Sequence, residues 1–245
     1  MRSAEMAALF GVASCWMAAS ARADEALLAP RPGFSYTVRN ETKNTTGADT
    51  FEQVSLIERK ILSSDGPTSK ASSVITFVSN KQNGAEEAVD FIPVPGPNTF
   101  NEFMYFLPTE ISMEFDLNRK DQPPGRHISR SRVDCDKAGV ASFFPLGTTS
   151  SVAVNCTTAT SLDGRGTPPQ DAAMALSYEG RTSVETPAGK FHVHQIRQTI
   201  IQTGRKTESV ILFDEGYGIA ISSTVRVEAA NVSFNSHVEV IAMSK

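Results

Sequence analysis

The sequence predicts a mainly β protein: a curved antiparallel sheet, or an open barrel or sandwich, with few short helices. Three observations carry this. Period-two alternation of apolar and polar residues recurs from end to end, helical periodicity is scarce, and turn signals separate the alternating runs. Those signals include Ser64-Asp65-Gly66-Pro67, Asn83-Gly84, Pro95-Gly96-Pro97, Pro123-Pro124-Gly125, Asp163-Gly164-Arg165-Gly166, Thr203-Gly204 and Glu215-Gly216.

The first 23 residues read as a signal peptide. Arg2 supplies a positive start, Met6 to Ala19 is an uncharged apolar run, and Ala21-Arg22-Ala23 has the small-x-small pattern of a leader-peptidase site. The expected mature N-terminus is Asp24. Val12-Ala13-Ser14-Cys15 also fits a loose lipobox, but the apolar run continues through Trp16-Met17-Ala18-Ala19 where a lipoprotein turns polar. No later segment reaches the ~20 apolar residues of a membrane-spanning helix. The expectation is a periplasmic or secreted protein with one antiparallel β domain over 24–245 and no transmembrane segment after leader removal.

The chain has 23 basic and 27 acidic residues. The leader takes two of the former and one of the latter, which leaves a charge of about −5. Arg126, Arg130 and Arg132 are interleaved with Ser and followed by Asp134 and Asp136, so the sequence argues against nucleic-acid binding. Leader removal also leaves Cys135 and Cys156 as an even pair, expected to form a structural disulfide in an oxidising compartment.

Taken in order, the first elements are strands. Phe34, Tyr36 and Val38 alternate with Ser35, Thr37 and Arg39, and Val74-Ile75-Thr76-Phe77-Val78 is a β-branched and aromatic run. Pro97 to Leu117 is the most apolar part of the mature chain. Phe100, Phe103, Tyr105 and Phe106 are the candidate ligand-binding residues there, at the mouth of a pocket for a lipid or other apolar ligand, the competing reading being a bulky core plug. Ile111, Met113, Phe115 and Leu117 then alternate strictly with polar residues. Two stretches invite short helices, Phe100 to Leu107 and Ala172 to Leu176 after Asp171. Asp134 and Asp136 should share a strand face, either as paired carboxylates or as a solubilising edge. Val225, Val227 and Ala229 close the series.

A faint echo links 34–78 with 176–213. Phe34-Ser35-Tyr36, Ile57, Ile61, Val74-Ile75 and Phe77 are matched by Leu176-Ser177-Tyr178, Ile196, Ile200, Val210-Ile211 and Phe213. Two related meanders and a chance likeness between antiparallel meanders both account for it.

No nucleophile elbow, phosphate-cradling Gly-rich loop or H-E-x-x-H motif is present. His192 and His194 are the candidate metal ligands. Two apart on a strand, they face one side, with a third ligand to come from His127, His237 or Glu185. The plainer expectation is two solvated histidines, no metal and no cofactor, on a strand that buries Phe191 and Val193.

Tyr178-Glu179-Gly180-Arg181-Thr182-Ser183-Val184-Glu185-Thr186-Pro187-Ala188-Gly189-Lys190-Phe191 resembles the G-x-x-x-V-x-V-P-A-G-T-F hairpin of TapB-like exported bacterial β-rich domains. The aromatic-Gly turn that follows in that group is echoed by Phe213-Asp214-Glu215-Gly216-Tyr217-Gly218-Ile219, and Phe144-Pro145-Leu146-Gly147-Thr148 echoes an upstream F-P-L-x-x-G. The chain departs from the pattern at Lys190, where Thr is usual. The resemblance covers the last ~100 residues, carries no catalytic residue across, and implies a curved antiparallel sheet in the bacterial envelope. The functional expectation is a non-enzymatic periplasmic binding or envelope-maintenance protein that holds an apolar or lipid ligand on a curved sheet. The alternatives are a hydrolase of an envelope or polymer substrate and an assembly module that pairs edge strands with an envelope protein.

Overall fold

The computed structural model describes residues 30–65, 68–87, 91–93, 96–103, 107–117, 125–166 and 168–244. The leader lies outside them. The described chain is antiparallel β almost throughout. β1 (Ser35–Thr46), β2 (Asp49–Asp65) and β3 (Thr68–Gln82) form a first meander, followed by the short β4 (Ala85–Glu86) and β5 (Phe91–Pro93) and by β6 (Gly96–Phe103), β7 (Leu107–Leu117) and β8 (Gly125–Cys135). After a five-residue helix α1 (Lys137–Ala141) come β9 (Ser151–Leu162), β10 (Arg165–Gly166), β11 (Gln170–Thr186), β12 (Gly189–Gln202), β13 (Arg205–Asp214), β14 (Ile219–Ala229) and β15 (Val232–Met243).

These strands make one sheet. Its order runs β9-β11-β12-β13-β14-β15-β1-β2-β3-β6-β7, and β8 hydrogen-bonds to both β7 and β9. The sheet is therefore strongly curved, because strands far apart in that order are both brought beside β8. Bulges between Thr37 and Val38, Val54 and Ser55, Ile61 and Ser63, Tyr178 and Gly180, and Leu212 and Phe213 break the register and bend the long strands. The two echo segments each lie on a three-strand meander, β1-β2-β3 and β11-β12-β13, in which Val38, Ile57 and Ile75 form one cross-strand row and Tyr178, Ile196 and Ile211 another.

The turns follow the residues that demand them. Asn83 and Asp163 have positive φ, each followed by a positive-φ glycine, which is the backbone of a tight hairpin. The Asn83 amide also tightens its turn by accepting from the Thr50 N–H at 2.8 Å. Pro187-Ala188 joins β11 to β12, with the Ala188 N–H donating to Thr186 Oγ1 at 3.2 Å and Gly189 at φ +138°.

Two apolar clusters hold the sheet. In one, Val140 and Phe143 from α1 and the turn after it pack on Val154, Met174, Leu176, Ile196, Ile211 and Phe213. The other joins Tyr36, Val38, Ile61, Ile219, Ile221 and Val240 to Phe191 and Val193. β12 serves both with opposite faces, Ile196 on one and Val193 on the other. This is possible because β13 pairs with β12 only from His194 onward, so the β11–β12 tip projects past β13 and lies over the second cluster. Burying a side chain such as Leu176 contributes roughly 1.5–3 kcal/mol.

Both expected helical stretches are corrected. Ala172–Leu176 belongs to β11, where Ala172, Met174 and Leu176 are buried and the residues between them exposed, a strand's period of two. Phe100–Phe103 belongs to β6, Leu107 opens β7, and 104–106 lie outside the described residues. The helix stands instead at Lys137–Ala141, started by Asp136, whose side chain accepts from the Ala138 N–H at 3.1 Å. Asp136 is thus a helix cap and does not share a strand face with Asp134. Cys135 and Cys156 sit directly opposite each other on β8 and β9 and form the disulfide.

Candidate functional site: a charged trough and a buried histidine

The expected aromatic mouth is described only in part. Phe100 lies on β6 opposite Ala71 of β3 and Ile111 of β7, and Phe103 opposite Thr68 and Leu107. Tyr105 and Phe106 lie outside the described residues.

The two histidines of β12 have different fates. His192 is exposed, its Nδ1 2.9 Å from Ser183 Oγ across the strand pair. His194 was expected in solvent beside it, yet its side chain is only 3% exposed. Its Nε2 is 2.9 Å from Glu215 Oε2 and its Nδ1 is 3.1 Å from Tyr178 Oη. Arg181 Nη2 reaches the same Glu215 oxygen at 3.2 Å.

The β11 bulge builds this arrangement. It places Tyr178 opposite Ile196 and Arg181 opposite His194, so both flank the imidazole, while the extra residue, Glu179, turns to Gln195 and Arg197. From the other side the β13–β14 loop brings Glu215. That loop is fixed by N–H donation from Tyr217 to Asp214 Oδ1 and from Gly218 to the Asp214 carbonyl, both at 2.9 Å, and by stacking of the Tyr217 ring on Phe34. A carboxylate can only accept, so Nε2–H donates to Glu215, while Nδ1 and the Tyr178 hydroxyl share the second hydrogen bond. A base oriented by a carboxylate and bonded to a hydroxyl is an acid–base arrangement in form. Tyr178, however, packs against the first apolar cluster and Gly147. Among the described residues no three His, Cys, Asp or Glu side chains converge as metal ligands.

On the face of β12-β13-β14-β15-β1-β2 opposite Ile196, Ile211 and Val38 lies a trough of about 710 Å³. Strand register assembles its floor from two adjacent rows. Arg197, Val210, Thr224, His237, Glu41 and Val54 are successive cross-strand partners, as are Glu208, Arg226, Asn235, Lys43 and Glu52. Directly paired residues share a face, so these side chains converge although they come from six strands.

The lining contains three cations, Lys43, Arg197 and Arg226, and three carboxylates, Glu41, Glu52 and Glu208. Each is tied on one side: Lys43 to Glu52 at 2.8 Å, Arg226 to Glu228 at 2.7 Å, Arg197 to Glu179 at 2.5 Å, Arg39 to Glu41 at 2.7 Å, and Lys206 to Glu208 at 2.8 Å. The hydrogen bond and charge of Lys43 hold the Glu52 carboxyl below its ordinary range, and Lys206 does the same for Glu208. At the trough's end the Arg197 and Gln195 hydrogen bonds lower Glu179, while Glu179 raises Arg197. The His237 ring makes no side-chain hydrogen bond among the described residues, its backbone being paired with β1 and β14. Of these residues only His237 is a candidate functional residue in the sequence, as a third metal ligand; Val210 is named there only as a strand position. The signal was weak, since each strand alone reads as a solvated charged face, and register alone aligns them.

No family model and no curated protein matches the chain. Among solved structures it is similar to the hypothetical lipoprotein YmcC from Escherichia coli (K12), with a TM-score of 0.41 and 10% identity over 83% of each chain. It is similar also to a protein with a YmcC-like fold from Bacteroides fragilis NCTC 9343, with a TM-score of 0.41 and 10% identity, covering 88% of this chain and 97% of that one.

Proposed function

We propose that this chain is a non-enzymatic binding protein of the bacterial envelope, exported by its leader, that holds a ligand in the trough across β12-β13-β14-β15-β1-β2. The trough is the observation that carries the reading: it gathers charged and hydrogen-bonding side chains from six strands over a volume that accommodates a small molecule. The Cys135–Cys156 disulfide agrees with an oxidising compartment. No helix among the described residues is long and apolar enough to cross a membrane. The ligand expected from the aromatic segment was apolar. The lining described here favours a polar one, because burying its charges against hydrocarbon would be costly.

Native mass spectrometry of the protein isolated from its own periplasm tests this. The expected result is a chain beginning at Asp24, without an acyl group on Cys15, carrying an extra mass that unfolding releases. Cytoplasmic protein with its leader intact, or protein empty in every preparation, contradicts it.

A hydrolase is the second reading, favoured by the Tyr178–His194–Glu215 arrangement alone. It requires that His194→Ala abolish turnover of an envelope polymer by otherwise folded protein.

A further inference from the structure

The trough's charges are ordered, and the order specifies a ligand. On the central strand β15, Asn235 and His237 carry no negative charge. Asn235 has Arg226 as its partner on one side and Lys43 on the other, so the two cations bracket it, each about 5 Å away by strand spacing. Beside His237, on the adjoining row, stands Glu41. We propose that the middle of the trough binds a zwitterionic group, its anion seated over β15 between Arg226 and Lys43 and its amine held by Glu41. This deepens the binding reading above and rests on it.

Donor and acceptor capacity remains for such a guest. Arg226 uses Nη2 on Glu228, and a guanidinium has five N–H donors. Lys43 uses one of three donors on Glu52. Glu41 gives Oε1 to Arg39 and keeps Oε2. These pairs are solvent-exposed, and exposed pairs are worth only ~0–1 kcal/mol each, so a ligand displaces or shares them at little cost. Charge balance then selects among ligands. A simple anion meets three nearby carboxylates on a chain of net charge −4, and a simple cation meets three nearby cations. A zwitterion that spans the cross-strand diagonal from Asn235 to Glu41, ~7–8 Å between backbone positions and shortened by the long side chains, satisfies both sets. The shared chemistry is a phosphoryl or carboxylate group with a neighbouring ammonium, whether on a free small molecule or on a lipid headgroup.

The test is a nuclear magnetic resonance titration of the mature, disulfide-bonded protein, following the His237 ring. O-phosphoethanolamine, inorganic phosphate and ethanolamine serve as separate probes. The expected result is half-saturation at a concentration at least tenfold lower with O-phosphoethanolamine than with either fragment. Glu41→Gln should abolish the advantage over phosphate, and Arg226→Gln with Lys43→Gln should remove binding while leaving the thermal melt unchanged. Equal response to the three probes in wild-type protein, or shifts that leave His237 unmoved, overturns the inference without reliance on any variant. A vesicle arm compares phosphatidylethanolamine with phosphatidylglycerol. Preferential binding to the former assigns the site to a lipid headgroup, and binding of the free probe alone assigns it to a soluble ligand; both support the zwitterion site. Protein that leaves the periplasm with a different ligand and ignores O-phosphoethanolamine overturns this inference alone. Protein retained in the cytoplasm overturns the exported reading whatever the titration gives.

Discussion

His194 Nε2 lies 2.9 Å from Glu215 Oε2, although 20 residues of β12, β13 and their loops separate the two in sequence. The pair pins the β13–β14 loop to the sheet. Glu215→Ala should leave the buried Nε2–H without an acceptor and cost about 1–3 kcal/mol. Glu215→Gln keeps an acceptor and should cost less, and His192→Ala, at an exposed position, should be nearly neutral. Urea unfolding checks this order, and equal losses for all three variants would contradict it.

The disulfide spans a sequence separation of 21 between directly paired positions of β8 and β9. Cys156→Ser should lower stability by about 3 kcal/mol in the chain-entropy account. Peptide mapping without reductant should recover the linked pair, and unfolding of wild type against the variant gives the magnitude. A change within experimental error would oppose the assignment of a structural role.

Gly139 tests packing against propensity. Alanine in a helix is ordinarily favoured over glycine by about 1 kcal/mol. Here a Cβ would come within 2.5 Å of Val154 Cγ1 and 2.9 Å of Asp136 Oδ2, one a core side chain and the other the helix cap. Overpacking should win, so Gly139→Ala is expected to destabilise by roughly 1–3 kcal/mol. A raised melting temperature would refute this.

Acid sensitivity follows from Glu179. Its hydrogen bonds from Arg197 and Gln195 lower its carboxyl from the ordinary 4.5 in the folded protein. The unfolded chain binds the proton first as pH falls, so this stabilisation is whole above about pH 4.5 and is lost as pH drops through the folded value. Glu179→Gln should therefore be less stable than wild type at neutral pH, and the two should converge in acid. A gap that stays constant down to pH 2 would rule the linkage out.

Much of this architecture was legible in local pattern. Ile111 to Leu117 and Val225 to Ala229 alternate as β7 and β14 do, and Asn83-Gly84, Asp163-Gly164 and Thr203-Gly204 turn where their chemistry predicts. The Ala172–Leu176 stretch misled because a short apolar run after Asp and Pro suits either a helix or a buried strand. The cap at Asp136 was hidden by the Asp-Cys-Asp spacing, which looks like a strand face. The site was far less legible. His194 is buried by a loop whose position depends on the β11 bulge and the β12–β13 pairing. Lys43, Asn235 and Arg226 meet only because two separate registers, the β14–β15 hairpin and the long-range β1–β15 pairing, place them in one row. Such convergence is a property of the assembled sheet, and no single strand's composition encodes it.

The most direct measurement of the central claim is side-chain footprinting of the protein as isolated from its periplasm, compared with the same protein unfolded, stripped and refolded. Acylation of Lys43 and carbethoxylation of His237 should be slow in the isolated form and faster after stripping, whereas exposed His192 and Lys190 on the β11–β12 tip should react alike in both. Equal labelling of Lys43 and His237 in the two forms, in protein that demonstrably loses a ligand on stripping, would place that ligand elsewhere and contradict the account.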